Sequence, residues 1–118
     1  MDARSVMQRW LPSRAPDESL TVESESPSTL TLRQGRVVTA LDRLSRIVTQ
    51  QGRLVARFGA VRHVRVQQEG AQAGVTEWWV ILQLAGTGSV KVGHCPDPSS
   101  ATQLASRIGG VTGVDVVS

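Results

Sequence analysis

Histidine and cysteine stand side by side at His94–Cys95, and a thiolate within reach of an imidazole makes a nucleophile pair. Neighbours in an extended segment point to opposite faces, so the adjacency itself argues against contact. Followed by Pro96, the cysteine reads as a structural residue at a strand end. A single Cys leaves no disulfide within this chain and no multi-cysteine zinc motif. Only His63 and His94 are available as imidazole ligands, too few for a histidine metal site. Asp42, Glu69, Glu77, Asp97 and Asp115 fall singly in turns or at strand ends, without the pairing that general acid/base work needs. Gly86-Thr-Gly-Ser-Val-Lys91 lacks the Gly-Lys-Ser/Thr ending of a phosphate loop and reads as a hairpin turn. The expectation is a non-catalytic protein with no catalytic residue, no cofactor, no metal and no small-molecule substrate.

Charge is the next chemistry on offer. The basic residues are twelve Arg and Lys91, and the net charge is +3. By segment it is −2 over residues 1–32, +7 over 33–65 and −2 over 66–118. Such a basic middle suits phosphates of nucleic acid or of lipid headgroups, with Arg33, Arg36, Arg53 and Arg57 as the candidate anion-binding residues. The plainer reading is that arginine alternates with apolar residues on the solvated side of half-buried strands, its stem covering apolar neighbours. Nucleic-acid binding also calls for stacking aromatics, and the chain has three Trp, one Phe and no Tyr. Nucleic acid is therefore disfavoured as a partner, and a membrane surface is a minor alternative.

The strongest strand pattern is Trp78–Leu84. Trp78, Val80, Leu82 and Leu84 share one face, which leaves Trp79, Ile81 and Gln83 on the other. Trp79 and Ile81 together on an outward face imply a cover, because Trp is enriched where proteins bind. A second copy of the chain, a partner protein or the chain's own Trp10 segment could supply it. The reading is an interaction module, expected to be homo-oligomeric or to bind a protein partner, with Trp79, Ile81 and Trp10 as contact residues.

These residues need elements to position them. Val6, Met7, Trp10 and Leu11 allow a helical turn or two, and residues 12–28, with three Pro and five Ser, have linker chemistry. Residues 1–28 are thus expected as a tail and 29–118 as one domain. Seven strands follow: Leu30–Leu32, Arg36–Leu41, Ser45–Thr49, Arg53–Phe58, Val64–Gln68, Trp78–Leu84 and Val90–Val92, separated by turns such as Gln34–Gly35 and Gln51–Gly52. Residues 37–58 also fit a helical period, but a helix there would hold Gly52 in its interior at a cost of about 1 kcal/mol, so strands are preferred. Ser100-Ala-Thr-Gln103 fits a capping box, and Ala101, Leu104, Ala105 and Ile108 form one apolar helix face. Gly109–Gly110 is the expected stop.

Seven short strands and one amphipathic helix, in that order, resemble the pleckstrin-homology-like (PH-like) fold of small bacterial domains. The stretches that carry the likeness are Leu41–Asp42–Arg43, Phe58-Gly-Ala-Val61-Arg-His-Val64-Arg-Val66, Glu77-Trp-Trp-Val-Ile-Leu82, and Ala101-Thr-Gln-Leu-Ala105-Ser-Arg-Ile108 leading to Thr112–Gly113–Val114. The resemblance implies an α+β domain over residues 29–118, a bent antiparallel sheet pair of barrel-like shape plugged by the C-terminal helix.

With 40% hydrophobic and 19% charged residues the composition is globular. No apolar run approaches the ~20 residues that span a bilayer, and the N-terminus lacks the apolar core of a secretory signal, so a cytoplasmic location is expected.

Overall fold

Alternating apolar residues and β-branched runs dominate from Thr21 to Cys95, and a helical period follows; the chain folds along that division. The computed structural model describes residues 19–70 and 76–118. In chain order these form β1 (Thr21–Glu25), β2 (Thr29–Gln34), β3 (Val37–Asp42), β4 (Ile47–Gln50), β5 (Arg53–Arg57), a short 3₁₀ turn (Phe58–Ala60), β6 (Val61–Gly70), β7 (Thr76–Leu84), β8 (Ser89–Cys95), α1 (Pro98–Thr112) and β9 (Val116–Val117). The first five strands make an antiparallel meander. The second sheet has the order β8-β7-β6-β9, with β9 parallel to β6. The class is α+β.

Residues 37–58 are strands, and the helical alternative does not form. Barrel closure is absent: the described residues form two open sheets rather than one continuous ladder. The segment expected as a linker also differs, because Thr21–Glu25 pairs with β2 as strand β1. Its Thr and Val suit a strand, and Ser24 and Ser26 lie on exposed positions of it and of the turn that follows. The amphipathic stretch Val6–Leu11, and Trp10 with it, lies outside the described residues.

One core lies between the sheets. Leu30, Leu32, Leu41 and Val48 of the first sheet face Val64, Val80 and Leu82 of the second, all 0–1% exposed. Helix α1 packs mainly on β6 and β7 and reaches β8 and β3, contributing Ala101, Ala105 and Ile108 to that core. An Arg107–Glu25 ion pair also ties it to β1.

Both ends of the helix depart from the sequence expectation. Asp97, not Ser100, caps it, its carboxylate accepting from Ser100 N at 2.9 Å. Pro98 fits the first helical turn, where its missing N–H costs nothing, so the helix starts two residues ahead of Ser100. These hydrogen bonds hold the Asp97 carboxyl below its ordinary range. Gly109 and Gly110 lie inside the helix, which ends at Gly113 in the left-handed conformation (φ 82°). Gly109 is there for space: a Cβ at this position would lie 2.7 Å from the carbonyl oxygen of Val114, which folds back over the helix.

Gly109→Ala is therefore expected to lower stability by about 1–3 kcal/mol through overpacking. Gly110 has open space around its Cβ position, and Gly110→Ala is expected to raise stability by up to about 1 kcal/mol on helix propensity. Urea midpoints of the two variants check the opposed signs.

Candidate functional site

Along β2 the inward residues run Leu30, Leu32, Gln34, and along β4 they run Val48, Gln50. At this end of the first sheet the apolar face gives way to glutamine, and there β8, an edge strand of the second sheet, comes alongside. Gln34 Oε1 accepts from the His94 backbone N–H at 2.7 Å. Gln50 Nε2 donates to the Lys91 carbonyl at 2.8 Å and to Thr39 Oγ1 at 3.2 Å. The Leu20 backbone N–H donates to the His94 carbonyl at 2.8 Å. Backbone groups of β8 that a further strand would have paired are thus met by two side chains and one backbone residue.

The junction leaves an open cleft of about 460 Å³, lined by Gln34, Val37, Gln50, Trp79, Lys91, Val92, Gly93 and His94. Trp79 is its aromatic wall. The His94 ring lies 4.6 Å from the Trp79 ring, centroid to centroid, tilted by 56°. Lys91 Nζ sits 4.5 Å from the Trp79 centroid, a cation–π distance, and is paired with Glu69 at 3.2 Å. The indole N–H donates to Glu77 Oε1 at 3.1 Å. Gln34 Nε2 lies 2.9 Å from His94 Nε2, and the same imidazole nitrogen is 3.7 Å from Glu77 Oε2. Trp79 is thus flanked by Glu77, Lys91 and His94, and it lines the cleft together with the last two.

Ile81 is placed differently from the expectation. It shares the Trp79 side of β7 but is 2% exposed, and it stands opposite Arg65 on β6 and Lys91 on β8. Long stems on both flanking strands cover an apolar residue of a central strand, so Ile81 is no surface anchor. Exposed apolar side chains appear instead at Val37, on the cleft wall, at Leu54, and at Leu44, which is 83% exposed. Leu54 does not share the inward face of Ala56, because an irregularity in the β4–β5 register at Val48/Thr49 breaks the alternation between them.

The four candidate arginines do not form one site. Arg36 and Arg53 flank the β2–β3 and β4–β5 turns at the cleft end of the first sheet, whereas Arg57 pairs in register with Ile47 at the opposite end. Arg33 forms an ion pair with Glu23 of the neighbouring strand. Arg36, Arg53 and Arg57 have no ion pair among the described residues.

His94 and Cys95 point to opposite faces, as their alternation requires. Cys95 is buried with its S–H directed at the Leu20 carbonyl at 4.0 Å. Burial, and then the nearby Asp97 charge, push its thiol above the ordinary value. No group of three His, Cys, Asp or Glu suited to a metal ion occurs among the described residues.

Sequence reasoning missed Gln34, Gln50 and Val37. A signal existed, since glutamine continues the period-2 apolar series of both β2 and β4, but its partners lie 60 and 41 residues away.

Gly93 makes the junction possible. A Cβ on it would lie 2.4 Å from Gln34 Oε1 and 2.8 Å from Leu20 Cδ1. Gly93→Ala is expected to displace the Gln34 amide, to cost about 1–3 kcal/mol for the orphaned backbone group, and to speed exchange of the His94 amide proton by NMR. For Cys95, iodoacetamide alkylation of the folded chain is expected only above the ordinary thiol range. Because the folded thiol keeps its proton to higher pH than the unfolded one, its stabilising contribution is complete below that range and is lost as pH rises through the folded value. Labelling at or below the ordinary range contradicts the buried assignment.

Comparison with known proteins returns no match for this chain, whether to a protein-family model, a curated protein or a solved structure.

Proposed function

We propose that this chain is a PH-like, non-catalytic interaction module that self-associates through the surface around Trp79. The PH-like reading is supported by strand order: β2 to β8 are seven antiparallel strands in series, followed by α1, with β1 and β9 as additions at sheet edges. The observation that carries the functional reading is Trp79 itself. An indole fixed by Glu77, His94 and Lys91 is rigid before any partner arrives, so binding costs little side-chain entropy. Trp79 and the exposed Val37 line one open cleft with Gln34, Gln50, Lys91 and His94 around them, an apolar centre with a polar rim, which is the anatomy of a protein interface.

A second reading, anion binding, has narrower support in Arg36 and Arg53, two exposed unpaired guanidinium groups at the same end of one sheet. Binding to polyanions through them would weaken steeply with salt.

Light scattering of wild type and Trp79→Ala at matched concentrations tests the first reading. Wild type is expected to exceed the monomer mass, and the substitution to weaken association about tenfold or more. A wild type that stays monomeric and binds an anionic oligonucleotide with a steep salt slope selects the second reading instead.

A further inference from the structure

The β3–β4 turn is the most exposed apolar point of the described chain, and it is braced on both sides. Asp42 Oδ1 accepts from the Leu44 and Ser45 backbone N–H groups at 2.8 and 3.2 Å, and the Asp42 carbonyl accepts from Arg46 N at 2.7 Å. Arg43 N donates to the Ser28 carbonyl at 2.7 Å, which ties the turn to the one between β1 and β2. Phe58 N donates to the Arg46 carbonyl at 2.9 Å, which ties it to the end of β5. Arg46, in the left-handed conformation (φ 59°), reverses the chain. Leu44 is left projecting at 83% exposure.

Three arginines surround that leucine. Arg43 and Arg46 flank it in the turn, and Arg57 ends β5 two strands away, through the register Asp42–Ile47–Arg57. All three are exposed, and none has an ion pair among the described residues. The guanidinium of Arg46 lies 5.6 Å from the ring centroid of Phe58, which is buried. Two carboxylates of the first sheet stand at this end, and both are engaged. Asp42 serves the backbone of the turn, and Glu25 is paired with Arg107.

This combination fits one kind of surface. A single aliphatic side chain on a protruding turn offers neither a pocket nor the apolar centre of a protein interface. Single-stranded nucleic acid calls for stacking aromatics, and Phe58, the aromatic residue of this end, is 3% exposed. An anionic bilayer needs neither feature. A leucine can enter the boundary between headgroups and acyl chains, and arginines near the surface are attracted by the acidic headgroups. Arginine stems then lie along apolar surroundings while the guanidinium groups stay among phosphates. The other end of the sheet is less suited. Strand β3 runs from Asp42 in the turn to Val37 on the cleft wall, and beside that cleft the carboxylates of Glu69 and Glu77 stand at Lys91 and Trp79.

We infer that the β3–β4 turn is a docking tip for an anionic bilayer: Leu44 inserts into the interfacial layer while Arg43, Arg46 and Arg57 contact its headgroups. The turn is fixed before contact, so docking orders little of the chain. This goes beyond the Trp79 reading and uses the opposite end of the same sheet.

Sedimentation of the full chain with vesicles tests the tip, using equimolar phosphatidylserine and phosphatidylcholine against phosphatidylcholine alone. Wild type is expected to pellet with the anionic vesicles only, and less so as salt rises. Leu44→Ser is expected to weaken partitioning about tenfold, and Arg43→Ala, Arg46→Ala or Arg57→Ala about fivefold each. Arg36→Ala/Arg53→Ala, at the far end of the sheet, is expected to behave as wild type because salt screens charges at that distance. Leu44 and the arginines are exposed, so these variants keep the fold, which circular dichroism checks. Insertion is read separately in Leu44→Cys carrying a polarity-sensitive dye, since the buried Cys95 is shielded from the label. Its emission is expected to shift to the blue on anionic vesicles. A wild type that does not pellet with them, or pellets equally well as Leu44→Ser, overturns the proposal. So does a dye that keeps its aqueous emission while the chain sediments. Sedimentation lost in Arg36→Ala/Arg53→Ala but unchanged in the tip variants overturns it in favour of the anion-binding reading. Tighter binding to an anionic oligonucleotide than to vesicles, lost in Arg43→Ala and kept in Leu44→Ser, reassigns the arginines to nucleic acid and also overturns it. Each of these outcomes leaves the light scattering of Trp79→Ala untouched, so the tip and the Trp79 contact fail separately.

Discussion

Everything in this fold that looks functional depends on how the free edge of β8 is satisfied. An edge strand exposes backbone N–H and C=O groups that must find water, a ladder or side chains. Here Gln34 and Gln50 reach across from the first sheet to His94 N–H and to the Lys91 carbonyl, and Leu20 adds a backbone hydrogen bond. Side-chain amides hold the sheets further apart than a continuous ladder would. That spacing leaves the sheets open rather than closed into a barrel, and leaves room for the cleft. Gly93 is the steric condition, since any Cβ there would occupy the path of the Gln34 amide.

From this junction the character of Trp79 follows. The adjacent strand β8 sets Lys91 and His94 beside it, and Gln34 lies within hydrogen-bond distance of the imidazole, so the indole is flanked from several directions where it lines the cleft. The same strand buries Ile81 two residues on, because the flanking positions there hold Arg65 and Lys91 rather than open space. One sheet face thus presents an aromatic surface and hides its aliphatic neighbour. The charges are arranged with similar economy. Glu23, Glu25, Glu69 and Glu77 each contact a basic or aromatic neighbour, and Asp42 and Asp97 serve a turn and a helix cap. Among the described residues, the arginines without an ion pair lie both at the turns of the first sheet (Arg36, Arg43, Arg46, Arg53) and on strands (Arg57 on β5, Arg62 and Arg65 on β6).

Much of this was legible in the residues, where the signal is local. Alternation located β2 to β8 and assigned Val80 and Leu82 to the core, because a two-residue period needs only neighbouring positions. The same rule separated His94 from Cys95. Features that require competition between nearby options were read less well. Pro98 and Asp97 start the helix ahead of the Ser100 box, and Gly109 and Gly110 sit within it, Gly109 because a carbonyl from Val114 needs the space that a Cβ would fill. Of the proposed contact residues, Trp79 lies on an open cleft, Ile81 is covered, and Trp10 lies outside the described residues.

By itself, then, the sequence determined the α+β class, the strand series and its inward face, the C-terminal helix and the excess of positive charge in residues 33–65, all through short-range periodicity and composition. The tertiary structure alone decided that two glutamines close the edge of β8, that a cleft opens beside Trp79, and that Leu44 and the cleft lie at opposite ends of one sheet. Those outcomes rest on contacts between residues 41 to 60 positions apart and on sheet register, and hydrophobic period carries no information about either.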